Sequence, residues 1–141
     1  PKKEKEERYG LFFYLQNKDG AVLFKTNKSS GLLANMDMLP SIGWYEDSNR
    51  FKSSPKFNKK KHEFLGLKWK ILDQNLVHIF THFKLNCTVA IAIINDENEL
   101  LIDLDKSIYR FVQKKNMNDL ALPSLTKKIL NSLKKHEALN F

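Results

Sequence analysis

Two hydrogen-bonding side chains, Thr81 and His82, interrupt an otherwise apolar strand pattern between Val77 and Leu85. On either side of them apolar residues recur at every second position, which is the period of a half-buried strand. The interruption at Phe80-Thr81-His82 therefore predicts a tight connection between two strands. A hydroxyl can both donate and accept a hydrogen bond, and connections present such groups outward, so this turn could contact a partner.

Simpler interpretations of the same residues stay open at this point. Without further context, Thr81 and His82 are more often ordinary polar turn residues than a binding site. His78 and His82 lie four residues apart, but no helix and no third ligand are predicted there, so the spacing does not indicate a metal site.

The chain is basic, with 24 Lys and Arg against 16 Asp and Glu, a formal charge of +8 and an isoelectric point near 9.5. Residues 50–70 contain eight basic residues and one acidic residue, whereas acidic residues cluster between 96 and 105. Such a polarised domain could present one face to phosphates. The candidate phosphate contacts are Lys59, Lys60, Lys61 and Lys84, although a lysine run is more often a solvated loop.

The single cysteine, Cys87, excludes an internal disulfide and any four-cysteine zinc or iron–sulfur site built from this chain alone. No apolar run approaches the roughly 20 residues of a membrane-spanning helix, and no apolar signal core follows the basic start. These features predict a soluble, cytoplasmic protein without a membrane partner and without a cofactor of its own.

Most of the chain has the pattern of strands and turns that would hold this connection in place. Residues 17–20, Asn-Lys-Asp-Gly, carry a strong Asp-Gly hairpin signal. Residues 31–40 are predicted to be irregular or one short strand, and the polar residues 45–62 a mobile loop or short helix. The predicted strands cover residues 9–16, 21–25, 64–72, 75–80, 83–94 and 109–112.

The pattern changes to that of a helix from Ser124 onward. Leu125, Ile129 and Leu133 share one face, and Pro123 precedes the start. Together these patterns predict an α+β fold, with a mixed sheet, a C-terminal helix and one or two further short helices. We expect residues 1–7 to be the end of an interdomain linker, residues 8–136 a single domain and residues 137–141 a C-terminal tail.

Three ordered blocks resemble the C-terminal domain of MutY-type adenine DNA glycosylases, which remove adenine mispaired with 8-oxoguanine. They are Gly31-Leu32-Leu33-Ala34 through Pro40, the Phe80-Thr81-His82 block with its flanks, and Leu120-Ala121-Leu122-Pro123-Ser124 leading into Lys127-Lys128. The sequence departs from the family at two points. Thr81 replaces the usual serine, and Asp37-Met38-Leu39-Pro40 replaces the usual Trp-Glu-Phe-Pro.

The resemblance implies a Nudix-like fold used for recognition rather than hydrolysis. The Nudix catalytic helix requires a run of the form G-x5-E-x7-R-E-U-x-E-E-x-G-U, whose glutamates hold the metal ions. Between Pro40 and Glu63 the chain offers only Glu46 and Asp47 as acids. Hydrolysis by the ordinary Nudix mechanism is therefore not expected, and the chain is not expected to be an enzyme by itself.

The resemblance also implies roles and partners. Thr81 would sense the altered edge of 8-oxoguanine, His82 would contact a phosphate or steady the turn, and Phe80 would pack beneath the turn or wedge against a base. The expected partners are double-stranded DNA containing 8-oxoguanine opposite adenine and an N-terminal glycosylase domain carrying a [4Fe-4S] cluster. By this function the protein would be a monomer at the bacterial nucleoid.

Two other functions remain as alternatives. The chain could be an active Nudix pyrophosphohydrolase, or it could mainly bind another repair or replication protein through residues 45–62.

Overall fold

The structure, a computed structural model, describes residues 5–28, 30–44, 64–73, 76–100 and 104–135. The chain divides into two compact units. The first unit comprises Pro1–Phe13 and Ser41–Ala92, and the second comprises Tyr14–Pro40 and Ile93–Phe141. The predicted α+β class is confirmed, with a mixed sheet and a helix near the C-terminus.

In the first unit, two long strands supply the frame. β1 (Glu6–Gln16) begins within the segment expected to be a linker, and it neighbours the strand Phe83–Ile93, which is β7. Both strands end with residues that belong to the second unit. The shorter strands of the first unit are β4 (Ser41–Ile42), β5 (Lys70–Ile71) and β6 (Leu76–Ile79).

The second unit contains β2 (Val22–Thr26), β3 (Asp37–Met38), β8 (Tyr109–Val112) and the helix α1 (Ser124–Leu133). β2 pairs antiparallel with both β3 and β8, so a five-residue strand with three buried residues is the centre of this unit. The predicted helix face is confirmed, because Leu125, Ile129 and Leu133 are fully buried.

The predicted hairpin at 17–20 is also confirmed. The Asn17 carbonyl accepts a hydrogen bond from the Gly20 N–H at 3.0 Å, and the Asn17 side chain accepts two more, from Asp19 and Ala21. Gly20 has a φ of 82°, which a glycine adopts without the strain that a Cβ would add. Sequence and local geometry therefore agree at this turn.

The predicted strand over residues 64–72 is wrong for most of its length. A 3₁₀ turn occupies Phe64–Gly66, and Leu65 has a φ of 57°, so only Lys70–Ile71 pair as a strand. The Trp69 indole N–H donates to the Phe64 carbonyl at 2.9 Å. The rings of Phe64 and Trp69 both contact the Phe13 ring. Phe64 and Trp69 therefore form an aromatic cluster around Phe13 rather than part of a strand ladder.

Candidate functional site

The tight connection predicted at Phe80-Thr81-His82 is confirmed. β6 and β7 pair antiparallel up to Ile79 opposite Lys84, and the Phe80 N–H then donates to the Phe83 carbonyl at 2.8 Å. Thr81 and His82 are the two residues at the tip, and both are exposed. Within the described part of the chain, neither side chain makes a hydrogen bond.

Phe80 anchors this tip to an aromatic cluster. Its ring stacks on Trp44 with centroids 5.9 Å apart and planes 15° apart, and it lies 4.7 Å from the Phe83 ring. The His78 ring lies in a T-shaped arrangement with the Phe80 ring, with centroids 4.8 Å apart. These contacts place Phe80 beneath the turn, half-buried, where it limits the conformations that the tip can adopt.

Trp44 is fully buried at the centre of this cluster and also contacts Phe12. Its indole N–H donates to the Ser41 hydroxyl at 2.8 Å, which satisfies the only polar atom of the ring. A Cβ on Gly10 would lie 3.1 Å from the Trp44 Cβ, a tight contact, so the glycine lets the indole lie against β1 without displacement. The tip is thus held through two ring contacts to a long strand.

Positive charge lies beside the turn. The Arg8 guanidinium sits 4.1 Å from the centre of the Phe83 ring, an arrangement that is favourable as a cation–π contact. The Lys5 ammonium donates to the Phe80 carbonyl at 3.0 Å. Arg8 also forms an exposed ion pair with Glu6 at 3.4 Å, a contact of small energetic value.

Lys5 and Arg8 were not among the residues that the sequence pattern singled out. Lys5 lies 75 residues before Phe80, and it falls in the segment expected to be a linker. Gly10, a small residue inside an apolar strand pattern, marks the close approach of the Trp44 ring and not the position of these two cations. No periodicity in the sequence identifies which cations would lie next to the turn.

The predicted phosphate contacts have separate outcomes. Lys84 is exposed on β7, directly after the turn, opposite Ile79. Lys59, Lys60 and Lys61 lie outside the described residues, as does the 45–62 segment considered for protein binding. In the described ranges, no three His, Cys, Asp or Glu side chains are grouped so that they could hold a metal ion.

In the second unit, the most prominent polar group is the buried Asp37. It accepts hydrogen bonds from the Thr26 hydroxyl at 2.9 Å, from Arg110 at 3.1 Å and from the Ala121 N–H at 3.2 Å. The carboxylate joins β2, β3, β8 and the segment before α1. Because its oxygens are occupied by partners within the fold, it is a structural group rather than a binding group.

Comparison with known families identifies the chain. A family model described as the NUDIX domain matches residues 11–132, so this chain belongs to the Nudix domain family. No curated protein sequence matches it significantly. Over the described residues, no helix is both long and apolar enough to cross a membrane.

Solved structures agree on the fold. The C-terminal domain of mouse MUTYH, crystallised in complex with human PCNA, has a TM-score of 0.66 and 17% identity, over 98% of this chain and 92% of that one. The MutT protein of Methanosarcina mazei has a TM-score of 0.61 and 14% identity, over 96% and 99%. The NUDIX domain of Shewanella oneidensis NrtR, solved with ADP ribose, has a TM-score of 0.59 and 12% identity, over 92% and 90%. The shared fold therefore includes a domain crystallised with a protein partner and a domain solved with ADP ribose.

Proposed function

We propose that this chain is a DNA-repair recognition domain that reads 8-oxoguanine opposite adenine, and that it serves a glycosylase domain which excises the adenine. The observation that carries this proposal is the exposed Thr81-His82 tip on a fixed aromatic base. The structural likeness to the MUTYH C-terminal domain supports it. The segment between Pro40 and Glu63 has only two acidic residues, fewer than the Nudix catalytic motif requires, and this also favours recognition over hydrolysis.

The chemistry of the damaged base suits such a tip. Oxidation adds an oxygen at C8 and turns N7 from a hydrogen-bond acceptor into a donor, so a reader needs an acceptor where guanine presents a lone pair. The Thr81 hydroxyl can supply that acceptor and can also donate. Its oxygen is not occupied by any partner among the described residues.

The neighbouring residues have supporting roles in this proposal. Phe80, packed on Trp44 and Phe83, holds the tip rigid enough for one hydrogen bond to discriminate between bases. His82 and Lys84 are exposed beside Thr81 and would contact phosphates, which position a protein on DNA without reading its sequence. Extrusion and excision of adenine would fall to a separate N-terminal domain, which in the MutY family carries a [4Fe-4S] cluster.

Binding to defined duplexes tests the proposal. The chain is titrated with duplexes that differ only in 8-oxoguanine:adenine or guanine:adenine, with fluorescence anisotropy as the readout. One good base contact gives about 1–3 kcal/mol of discrimination, so we expect a preference between about fivefold and about 160-fold. Equal affinity for both duplexes would count against the proposal.

Two variants isolate the hydroxyl. Thr81→Val keeps the shape and the β-methyl but removes the oxygen, so it should lose the preference while keeping affinity for the guanine duplex. Thr81→Ser keeps the oxygen and should retain the preference. If Val and Ser behave alike, the hydroxyl is not the reader.

An active Nudix hydrolase is the second candidate, favoured by family membership and by the likeness to a MutT protein. Against it, Glu46 and Asp47 are the only acids between Pro40 and Glu63, and neither forms the paired glutamates of the motif. The test is magnesium-dependent release of phosphate or pyrophosphate from oxidised and ordinary nucleoside triphosphates. Turnover by the purified chain that is lost in Glu46→Gln would establish hydrolysis and displace the recognition proposal.

A further inference from the structure

β8 lies at an open edge of the sheet in the second unit. It pairs with β2 on one side, and no other strand of the described ranges pairs with it. An edge strand offers a row of backbone donors and acceptors to another extended chain. The Phe80-Thr81-His82 turn belongs to the first unit, so a partner at this edge would not use the proposed base-reading tip.

The ladder register shows which backbone groups of β8 point outward. The Thr26 N–H donates to the Ile108 carbonyl at 2.9 Å, in the register that continues along β2 and β8. Bonded and non-bonded pairs alternate in an antiparallel ladder, so Arg110 bonds to β2, whereas the N–H and carbonyl of Phe111 point away from β2. In the part of the chain that the structure describes, neither of these Phe111 groups has a partner. One residue of an added antiparallel strand could exchange two hydrogen bonds with them.

An apolar hollow adjoins the same edge. Its volume is about 790 Å³, and its apolar lining consists of Leu23, Leu100, Leu104, Tyr109 and Phe111. Tyr109 and Phe111 are two residues apart and therefore share one face of β8, and Leu23 lies opposite Phe111 on β2. Side chains of directly paired residues project on the same face of a sheet. A residue paired with Phe111 would therefore direct its own side chain toward this hollow.

The charge around the edge is mainly positive. Residues 104–115 contain four basic residues and one acidic residue, Asp105. Arg110 is paired with Asp37, whereas Lys106 and Lys115 are exposed on either side of the strand and have no ion pair among the described residues. Two copies of this edge would bring like charges together, whereas a peptide with acidic ends would meet opposite charges. Charge complementarity therefore favours an acidic peptide over a second copy of the chain.

We infer that β8 binds an extended acidic peptide of another protein by strand addition. The peptide residue opposite Phe111 exchanges two backbone hydrogen bonds with it and places an apolar side chain in the hollow. Acidic residues on either side of that position meet Lys106 and Lys115. This surface is additional to the proposed reading of 8-oxoguanine and does not depend on it.

The test titrates the whole chain with an end-blocked heptapeptide, Glu-Glu-Val-Ile-Val-Glu-Glu, and follows the backbone amides by NMR. We expect shifts at residues 109–113. Hydrogen exchange of the Phe111 amide should slow at least about tenfold at saturation, because the added strand bonds that N–H. A peptide with lysine in place of every glutamate should bind at least about fivefold more weakly. Equal binding of the two peptides, or no shift with the acidic one, would overturn the inference.

Methylation of the peptide backbone isolates the strand pairing. An N-methyl group on the central isoleucine removes the N–H that would donate to the Phe111 carbonyl, whereas one on the adjacent valine replaces an N–H that points away from β8. The first peptide should bind at least about tenfold more weakly than the parent peptide, and the second less than about threefold more weakly. Equal weakening by the two methyl groups would rule out strand addition.

A pair of variants makes the reciprocal test on the chain. Phe111→Pro removes the outward N–H, and proline is tolerated on an edge strand where that group faces away from the ladder. Phe111→Leu keeps the N–H and an apolar side chain. Proline should weaken peptide binding at least about tenfold and leucine less than about threefold. If the proline variant does not fold, the methylated peptides still decide the question.

Two further measurements check the identity of the partner. Dimerisation of the free chain through residues 109–113, measured by sedimentation velocity and NMR, would assign the edge to a second copy and overturn the peptide. Displacement of the peptide by an unmodified DNA duplex at the same amides would overturn it as well. The Thr81 variants should bind the peptide like the original chain, so failure here and failure of the proposed base reading are distinguishable.

Discussion

The polar side chains of Asp37 and Thr81 differ in burial and in pairing. Asp37 is 6% exposed, and partners from three segments occupy its oxygens. Thr81 is exposed, its hydroxyl has no partner among the described residues, and the rings below it supply the rigidity. A buried polar group that is fully paired holds a fold together, whereas an exposed group on a rigid base is available to a ligand.

The largest expected effect comes from removing the rigid base. Trp44→Ala deletes a fully buried indole that contacts Phe12, Phe80 and Phe83, so unfolding free energy should fall by about 3–5 kcal/mol. Denaturant unfolding measures the loss. Under conditions where the variant is still folded, its preference for the 8-oxoguanine duplex should also fall, because the tip is no longer held.

Trp44→Phe keeps a ring in the cluster and should retain most of both properties. If Trp44→Ala is destabilised yet reads 8-oxoguanine as well as the original chain, the aromatic base is structural only, and the comparison with Asp37 breaks down.

The next effect belongs to the buried carboxylate. Asp37→Ala leaves the Thr26 hydroxyl and the Ala121 N–H without their acceptor, so stability should fall by about 2–4 kcal/mol. Arg110 contributes less to this loss, since its side chain is 54% exposed. Thermal unfolding measures it, with the exposed Asp119→Ala as the matched control, expected within about 0.5 kcal/mol of the original chain.

Asp37→Ala should leave the duplex preference intact wherever the variant is folded. A loss of preference in this variant alone would show that the second unit takes part in base reading.

The sequence predicted the elements whose residues have local or periodic signals. The Asp-Gly turn, the β6–β7 connection and the buried face of α1 each depend on residues a few positions apart, and each is present. The strand predicted at 64–72 failed because Phe64 and Trp69 both pack on Phe13 although they are five residues apart, a spacing that a strand would place on opposite faces. The local signal of the turn was Gly66, which has a φ of 69°, whereas the φ of 57° at Leu65 is one for which leucine has no preference.

The candidate site was predictable to a similar degree. The tip residues stood out because they break a pattern, but their surroundings come from distant segments. Arg8 approaches Phe83, and Lys5 approaches Phe80, across 75 residues of chain, which no window of sequence reports. The Asp37 network likewise joins Thr26, Arg110 and Ala121, and its carboxylate looks in sequence like any other acid beside a short strand.

A smaller effect on stability is expected at the tip itself. Thr81→Val should change the free energy of unfolding by no more than about 0.5 kcal/mol, since the side chain is exposed and unpaired among the described residues. Denaturant midpoints measured beside the duplex titrations check this. A substantial loss of stability would show that the hydroxyl supports the turn, and would place Thr81 in the same class as Asp37.

The smallest expected effect is a change in the pKa of Asp105. This residue shows that exposure alone does not make a polar group available to a ligand. Asp105 is exposed like Thr81, but the Ser107 hydroxyl and N–H donate to its carboxylate at 2.7 and 2.9 Å, and they hold its pKa below the ordinary value. A pKa lower in the folded than in the unfolded state stabilises the fold at pH values above the unfolded pKa, and this contribution is lost as the pH falls through the folded pKa. Ser107→Ala should raise the Asp105 pKa toward its ordinary value, and Ser107→Thr should not, as followed by carboxyl carbon shifts in an NMR titration. If Asp105 has the same pKa in the Ala variant as in the original chain, the Ser107 hydrogen bond does not hold that pKa down. Hydrogen bonding within the fold would then no longer distinguish the Asp105 carboxylate from the Thr81 hydroxyl.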